Sequence, residues 1–216
     1  MTALADREKK TITPGLPDEQ FIRGDVPLTK EEIRCLTLSK LRLKEGQTVL
    51  DVGAGSGGLS IEIALLMPGG MVFAVERDPE AVALIRANLK NFGAGNIVIL
   101  ETSASQALEG NDLPQTLDRV VVGGSGGELD LIIKRGFELL VPGGIMVINC
   151  ILLETLHDSL QLLGQTGFTE IGFIQASIAR SREMGKKRAL KPLNPVFIVS
   201  AVKSGQARSA GSRGGY

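Results

Sequence analysis

From residue 46 onward, short apolar runs alternate with amphipathic segments, and this alternation constrains the fold more than any other feature of the chain. β-branched runs followed by helical patterns are typical of parallel strands joined by crossover helices that cover both faces of the sheet. Two later runs, joined by a polar stretch, predict an antiparallel pair that closes one sheet edge. The sequence therefore predicts an α/β fold with a mostly parallel seven-stranded sheet and an antiparallel C-terminal strand pair. The predicted strands are QTVLDV, MVFAVE, NIVILE, DRVVVG, GIMVINC, FTEIGFIQASIA and NPVFIVSAV, and the predicted helices cover 57–67, 79–92, 126–140 and 152–163.

The 216 residues suffice for one large domain of this kind with a substantial core. Residues 46–203 make up the predicted α/β domain, and residues 1–45 form an N-terminal segment that ends in a helix. Thr29 and Glu32 have the spacing of a capping box, which predicts that this helix begins just after Thr29. Residues 204–216 are rich in Gly, Ser and Arg and have nothing to bury, so we expect a disordered tail.

The charge balance and the scarcity of aromatic residues argue against nucleic acid as a partner. Basic and acidic residues number 24 each, so no overall field attracts nucleic acid or an anionic membrane. Seven Phe, one Tyr and no Trp provide little for stacking on single-stranded nucleic acid.

Apolar runs and cysteines bear on the compartment. No stretch approaches the roughly 20 apolar residues of a membrane span. Cys35 and Cys150 lie far apart, which favours buried thiols in a reducing compartment over a disulfide or a zinc site. We therefore expect a cytoplasmic protein with neither a membrane partner nor a metal.

The segment VLDVGAGSGG joins the first predicted strand to a helix, and its glycines allow a tight turn that brings backbone N–H groups against a ligand. The spacing of Gly53, Gly55 and Gly58 also satisfies G-x-G-x-x-G, the fingerprint of dinucleotide binding. Asp51 lies two residues before the first glycine, where its carboxylate would repel a pyrophosphate and favour a cationic ligand. S-adenosylmethionine has an ammonium and a sulfonium group and no phosphate, so it is the predicted cofactor. The predicted contacts in this segment are Asp51, Gly53, Ala54, Gly55, Ser56 and Gly57.

Two further predicted strand ends supply residues for a nucleoside. Glu76 ends the second strand, where an acid accepts both hydroxyls of a ribose in a nicotinamide enzyme or a methyltransferase alike. Ser103 and Ala104 follow the third strand, where small side chains suit an adenine, although an ordinary helix start explains them equally well. Asp78-Pro79 predicts the N-cap and the first residue of the next helix.

These motifs resemble those of a known family. The pattern D-x-G-x-G-x-G at 51–57, Glu76 and the closing strand pair resemble a class I S-adenosylmethionine-dependent methyltransferase, which has a Rossmann-like fold. More specifically, GLPDEQFIR, VPLTKEEIR, DVGAGSGGLSIE, DRVVVGGSGG and NCILLETL are similar to the CbiT family, the decarboxylating cobalt-precorrin-6B methyltransferases of cobalamin biosynthesis. The resemblance covers roughly residues 14–203.

The resemblance implies a reaction, a substrate and an assembly. It implies methylation of carbon 15 of precorrin-6B, or of its cobalt form, with release of carbon dioxide from the acetate on carbon 12. It also implies a homotetramer and, for carbon 5, a separate methyltransferase as a partner. In the family the segment equivalent to residues 1–45 folds over the cofactor, so Thr29 is expected to contact it.

The fourth predicted strand ends in a second glycine-rich run, GGSGG at 123–127. Methyltransferases that act on nitrogen often have Asn-Pro-Pro-aromatic at this point, whereas this run supplies no side-chain acid or base. A carbon nucleophile in an electron-rich tetrapyrrole needs little activation, so the protein has only to hold carbon and methyl in line at about 3–3.5 Å. Gly124, Ser125 and Gly126 are therefore predicted to bind the substrate; a strand-to-helix turn that requires positive φ is the alternative.

Candidates for the decarboxylation follow the fifth strand, in NCILLETLHDSL. The macrocycle can accept the electrons, and the protein has to orient and desolvate the carboxylate and supply a proton. Glu154 and Asn149 are the predicted catalytic residues, and Glu154 is preferred because it lies in the family-like LETL. His157, the single histidine, fits an exposed helix position.

The stretch ARSREMGKKRALK at 179–191 joins the last two predicted strands and is strongly basic. Precorrins have many carboxylates, so a basic flap at the mouth of the sheet would attract and bind them. Arg180, Arg182 and Lys186 are predicted to bind the substrate; a solvated hairpin and a nucleic-acid-binding patch are the alternatives.

Other functions remain open on the sequence. An enzyme of the same fold could methylate RNA or another small molecule, and a steep salt dependence of RNA binding would favour that function. A non-catalytic module would bind S-adenosylmethionine and transfer no methyl group. A nicotinamide-dependent oxidoreductase fits less well, because Asp51 opposes a pyrophosphate and no residues remain for a substrate domain.

Overall fold

The computed structural model describes residues 13–205 of the chain. A short 3-10 turn at Asp18–Gln20 and helix α1 (Glu31–Leu41) precede the sheet. The elements that follow are β1 Thr48–Val52, α2 Gly58–Leu66, β2 Met71–Glu76, α3 Pro79–Phe92, β3 Ile97–Glu101, α4 Ala104–Glu109, β4 Leu117–Val122, α5 Leu129–Leu139, β5 Leu140–Cys150, α6 Leu153–Thr166, β6 Phe168–Ala176, β7 Ala179–Met184, β8 Lys187–Pro192 and β9 Val196–Lys203.

Seven strands form one sheet in the order β3-β2-β1-β4-β5-β9-β6. Strands β1 to β5 are parallel, and β9 runs antiparallel to both β5 and β6, so the predicted sheet and its antiparallel pair are confirmed. The chain proceeds from β1 towards one edge and from β4 towards the other, so the loops after β1 and β4 meet where the strand order reverses. Open sheets bind ligands in the crevice at the carboxyl ends of the strands beside such a reversal.

Apolar layers cover both faces of the sheet. Neighbouring residues of β4 belong to opposite layers: Val120 to a cluster with Ile132 of α5, and Val121 to a cluster with Ile63 of α2. The strand repeat of two points successive side chains to opposite faces. Each such buried side chain contributes roughly 1.5–3 kcal/mol, so the strand ends stand on a rigid core.

Buried polar side chains hold residues 13–30, the described part of the N-terminal segment that precedes α1, against the rest of the domain. Glu62 of α2 accepts two backbone N–H groups of this segment, at 2.7 and 3.1 Å. Asn88 of α3 accepts from Ile22 N at 2.6 Å and donates to Ile22 O at 3.0 Å. The same amide donates to Ser56 O at 3.2 Å, so one buried side chain joins the N-terminal segment to the first glycine-rich loop.

Helix α1 begins at Glu31, with Lys30 as its N-cap and no capping hydrogen bond from a side chain. The capping box predicted at Thr29 and Glu32 is therefore wrong. The carboxylate of Glu32 instead accepts two hydrogen bonds from Arg180, at 2.6 and 2.8 Å. A tertiary ion pair thus takes the side chain that the capping box required.

Local signals elsewhere give mixed outcomes. Asp78 caps α3 and accepts from Glu80 N at 3.0 Å, as the sequence predicted. Ser103 caps the six-residue α4 through a capping box, so the helix start that the sequence left open is present. Cys150 is buried, but Cys35 is exposed on α1, so the expectation of two buried thiols is wrong for Cys35.

The basic stretch that follows β6 folds as a separate hairpin. Strands β7 and β8 pair with each other as an antiparallel hairpin separate from the main sheet, which supports the hairpin alternative for the basic stretch. The predicted disordered tail lies outside the described residues from residue 206 onward, as do residues 1–12.

Candidate active site at the carboxyl ends of the strands

The first glycine loop, residues 53–57, folds back onto the end of β2. Gly53 N and Ala54 N donate to Val75 O at 3.0 and 3.1 Å, and Gly55 N donates to Glu76 Oε2 at 2.8 Å. Gly53 and Gly55 have φ of 70° and 56°, in the left-handed region that favours glycine. Hydrogen bonds to the backbone of Val75 and the side chain of Glu76 therefore hold this loop in place.

The second glycine loop, residues 123–127, packs against the first, backbone to backbone. A Cβ on Gly53 would lie 2.4 Å from Gly124 O, and one on Gly123 would lie 2.9 Å from Gly53 O. Gly123 N also donates to Val52 O at 2.9 Å. Side chains at 53 or 123 would force the loops apart, which explains two of the glycines by packing alone.

The other glycines of the second loop have different reasons. Gly126 and Gly127 have φ of 58° and 91°, which supports the alternative of a strand-to-helix turn and delays the start of α5 to Leu129. A Cβ on Gly124 would meet no atom within 4 Å, and its φ is not positive. Neither packing nor conformation therefore requires glycine at position 124.

Two adjoining cavities open at this edge of the sheet. The smaller, of about 210 Å³, lies between the ends of β1 and β2, the start of α4 and the second glycine loop. The larger, of about 850 Å³, is bounded by the first glycine loop, the N-terminal segment, the end of β5 and the base of the β7–β8 hairpin. Its volume falls within the range of small-molecule sites. The residues common to both cavities are Gly53, Glu76, Gly124 and Ser125.

Most of the predicted cofactor residues come together around these cavities. Ser56 and Gly57 do not line them, because the loop turns both residues towards the protein. Ser56 is buried, and a Cβ on Gly57 would lie 3.1 Å from the side chain of Ile85. The predicted residues that line a cavity are Thr29, Gly53, Ala54, Gly55, Glu76, Ser103 and Ala104.

Glu76 is held by three backbone N–H groups. Gly55 donates to Oε2, whereas Arg77 and Asp78 donate to Oε1 at 2.8 and 3.0 Å. A carboxylate has about four lone-pair positions, so one acceptor position remains, on Oε2. Binding of both ribose hydroxyls by Glu76 stays a prediction, and one acceptor position is free for it.

Asp51 lies beneath the first glycine loop and does not line either cavity. It is 1% exposed, its Oδ2 accepts from Ser60 Oγ at 2.5 Å, and its Oδ1 has no hydrogen-bond partner among residues 13–205. Burial raises the pKa of this carboxyl to about 6, and the charge of Glu76 acts in the same direction. The sequence placed the carboxylate beside the loop; the structure places it below, where the unpartnered oxygen is closed off from solvent and from both cavities.

The predicted substrate residues of the second loop lie at the junction of the cavities. Gly124 and Ser125 line both cavities, and Gly126 lines the smaller one. A Cβ on Gly126 would lie 3.4 to 3.5 Å from three atoms of the Arg77 guanidinium, so this glycine also seats the flat face of that group.

Of the two predicted catalytic residues, the structure places one at the larger cavity and the other outside both cavities. Asn149 lines the larger cavity, its Oδ1 lies 3.1 Å from Thr37 Oγ1, and its Nδ2 has no partner among the described residues. Glu154 is exposed on α6 and lines neither cavity, whereas its neighbour Thr155 lines the larger one. Each helical residue turns by about 100°, so the phase of α6 directs position 154 away from the site. The expected exposure of His157 is confirmed.

Arg180 is engaged within the protein. Its guanidinium donates to Glu32 and lies 3.0 Å from a carboxylate oxygen of the buried Asp18. The hydrogen bonds from Arg180 lower the pKa of Glu32 below its ordinary value. Arg182 and Lys186 are exposed on the hairpin and do not line the cavities. The structure therefore gives Arg180 a different role from the predicted substrate contact, because two acids already occupy it.

Sequence reasoning missed two residues that shape the site. Arg34 is fully buried and pairs with Asp18 at 2.7 Å and Glu62 at 2.5 Å, which fastens the N-terminal segment to α1 and α2. Its spacing to buried Thr37 and Leu38 on the same helix is the signal that could have found it. Lys30 lines the larger cavity, but in VPLTKEEIR it resembles any charged helix start.

Among residues 13–205, no group of three or more His, Cys, Asp or Glu side chains is placed to hold a metal ion. Within the same part of the chain, every helix is too short or too polar to pass through a bilayer.

A family model described as the precorrin methyltransferase domain matches residues 20–203. The probable cobalt-precorrin-6B C(15)-methyltransferase (decarboxylating) of Pyrobaculum aerophilum is 43% identical over 192 residues, 88% of this chain and 96% of the relative. The enzyme of Salmonella typhimurium with the same activity in its name is 40% identical over 189 residues, 87% and 96% of the two chains. The crystal structure of precorrin-6y C5,15-methyltransferase from Geobacter metallireducens has a TM-score of 0.82 at 38% identity and covers 88% of this chain and 98% of its own. The chain therefore belongs to the precorrin methyltransferase family.

Proposed function

We propose that this protein methylates carbon 15 of precorrin-6B, or of its cobalt form, from S-adenosylmethionine and releases the carbon-12 acetate carboxyl as carbon dioxide. The observation that carries the proposal is the junction of the two cavities, where the two glycine loops meet and Gly124 offers no side chain. A cofactor that spans the smaller cavity and the first glycine loop would reach, at this junction, a substrate in the rest of the larger cavity. The family and the names of its relatives support this substrate class.

The residues present fit S-adenosylmethionine, which when bound supplies an electrophilic methyl group on a sulfonium. Ser103 and Ala104 would border its adenine, and the free acceptor position of Glu76 would take a ribose hydroxyl. Thr29, in the wall of the larger cavity, would cover it. The charge of Asp51, buried beneath the first glycine loop, would favour a cationic ligand in the cavity above it and oppose a pyrophosphate.

The protein's part in methyl transfer is alignment. Neither Gly124 nor Ser125 can act as a strong base, so the loop would not activate the substrate carbon chemically. It would instead leave room for that carbon to approach the methyl group and would exclude water around it. For the decarboxylation, Asn149 is the better-placed of the two candidates, because it lines the larger cavity and Glu154 does not. An amide orients a carboxylate by hydrogen bonding and transfers no proton, so Glu154 keeps a role only if α6 moves.

The decisive experiment incubates the protein with methyl-labelled S-adenosylmethionine and cobalt-precorrin-6B or precorrin-6B. We expect one methyl group incorporated for each carbon dioxide released. Methylation without gas would refute the coupled decarboxylation, and cofactor binding without transfer would support a non-catalytic module. Tight, steeply salt-dependent RNA binding by the basic hairpin, with RNA methylation, would replace the substrate altogether.

Three further parts of the proposal rest on the sequence and on the family resemblance. We propose that the protein is cytoplasmic, assembles as a homotetramer, and shares its pathway with a separate enzyme that methylates carbon 5. Light scattering of the purified protein tests the tetramer directly.

A further inference from the structure

The larger cavity has an uneven distribution of charge. Its lining is mostly apolar, and among the described residues that line it, Lys30 is the one Lys, Arg or His. The two acids of the lining are already engaged: Glu76 accepts three backbone N–H groups, and Asp78 caps α3. Lys30 is therefore the one described lining residue with a cationic side chain that could pair with an anionic group.

The neighbours of Lys30 do not neutralise it. Glu32 accepts two hydrogen bonds from Arg180, and Glu31 accepts from Asp18 N at 3.2 Å while lying 3.9 Å from the Arg180 guanidinium. Within residues 13–205, no carboxylate oxygen lies within 4.0 Å of the Lys30 ammonium. The Lys30 ammonium thus has no ion-pair partner among these residues.

The basic hairpin does not supply a replacement inside the cavity. Arg180 is held by Glu32 and Asp18, and Arg182 and Lys186 lie outside the lining. The hairpin cations can attract an anion from solution, but they leave the contact within the cavity to Lys30.

We propose that Lys30 binds a peripheral carboxylate of the tetrapyrrole and so determines which edge of the macrocycle enters the larger cavity. This inference rests on the proposed function. An ammonium stabilises a carboxylate and would hinder its loss as carbon dioxide, so the partner of Lys30 is a carboxylate that the reaction retains. Asn149, whose side chain is neutral, is also a lining residue of this cavity and suits the departing carboxylate better.

The test compares Lys30→Gln, Lys30→Arg and Lys40→Gln with the unaltered protein. Lys30 makes no side-chain capping bond, so its removal leaves α1 intact, and Lys40 is a matched lysine on the same helix outside both cavities. We expect Lys30→Gln to raise KM for the precorrin by about 10- to 100-fold, the worth of a charge-assisted hydrogen bond, with kcat changed less than about 3-fold. Lys30→Arg should restore most of the KM, and the affinity for S-adenosylhomocysteine should stay constant throughout.

A second measurement separates this inference from the proposed function. Binding of uroporphyrin, a stable tetrapyrrole octacarboxylate, is followed by fluorescence in the absence of any reaction. Weaker binding by Lys30→Gln but not by Lys40→Gln supports the Lys30 site even if no precorrin is methylated. Equal KM and equal uroporphyrin affinity for the two variants, or equal losses in both, would overturn it while leaving the methyltransferase activity in place.

Discussion

The two glycine loops look alike in the sequence and differ in how the structure uses them. In the first loop, Gly53 and Gly55 have positive φ, and bonds to the end of β2 hold the backbone in place. In the second loop, Gly123 serves the packing of the first loop, Gly126 and Gly127 serve a turn, and Gly124 faces open space.

This difference shows that a run of glycines has no single meaning. Packing, backbone conformation and access for a ligand each require glycine for a separate physical reason. The reasons have different energetic costs, so single substitutions in the two loops can tell them apart.

The largest effect is expected for Gly53→Ala. The added Cβ would lie 2.4 Å from the carbonyl oxygen of Gly124, where only backbone movement can relieve the clash, and φ of 70° adds strain. We expect a loss of about 4 kcal/mol in the free energy of unfolding, measured by urea denaturation. A loss below about 1 kcal/mol would show that the loops are not in contact.

The next effect concerns Asp51, beneath the first loop. Its folded pKa of about 6 exceeds the ordinary 3.8, so the folded state binds this proton more tightly than the unfolded state. The stability that this proton brings is present below about pH 4 and is lost as the pH rises to about 6. We therefore expect Asp51→Asn to stabilise the ligand-free protein near pH 8 by about 3 kcal/mol, and to change nothing near pH 4. Asp112→Asn, an exposed acid, is the control.

Asp51 should also make ligand affinity depend on pH. A cationic amino group would favour the charged carboxylate, so we expect S-adenosylhomocysteine to bind more tightly as the pH rises through about 6. 5′-Methylthioadenosine lacks that amino group and should show no such change. Identical pH profiles for the two ligands in titration calorimetry would remove Asp51 from cofactor binding.

A smaller effect is expected for Gly126→Ala. At φ of 58° an alanine is strained, and its Cβ would meet the Arg77 guanidinium at 3.4 Å, a group that can move aside. We expect destabilisation of about 1 kcal/mol in urea. A cost equal to that of Gly53→Ala would mean that the two loops are equally constrained.

The smallest effect on stability is expected for Gly124→Ala. Nothing lies within 4 Å of the new Cβ, so the free energy of unfolding should change by less than about 0.5 kcal/mol. The rate of methyl transfer should nevertheless fall by about 10-fold, because the alanine side chain would occupy the junction of the two cavities. Full activity in the labelled-methyl assay would show that the substrate approaches elsewhere.

Much of the fold was predictable because it follows from periodicity. The β-branched runs gave seven strands, Asp78-Pro79 gave the start of α3, and the resemblance to the CbiT family is confirmed at the level of the family. Helix α1 is present as predicted, but its capping box was wrong: Glu32 pairs instead with Arg180, 148 residues away in the chain, which no local pattern shows.

The site was predictable as a place and less so in its individual contacts. Glycine spacing located both loops, but it could not show that Asp51 lies below the surface or that Glu154 lies on the outer side of α6. Lys30 was missed for a related reason: a lysine before two glutamates is typical of a solvated helix start. Only the tertiary engagement of both acids leaves its charge unpaired among the described residues.

The position of β9 in the sheet has a consequence for the birth of the molecule. Although β9 is synthesised after the other six strands of the sheet, it lies between β5 and β6. These two strands are therefore joined only after β9 has been made. Until the ribosome has synthesised β9, one edge of β5 and one edge of β6 lack the partner strand that the finished sheet provides. Unpaired strand edges promote aggregation. Translation that stalls inside the β7–β8 hairpin would therefore leave an incomplete, aggregation-prone sheet rather than a smaller active enzyme.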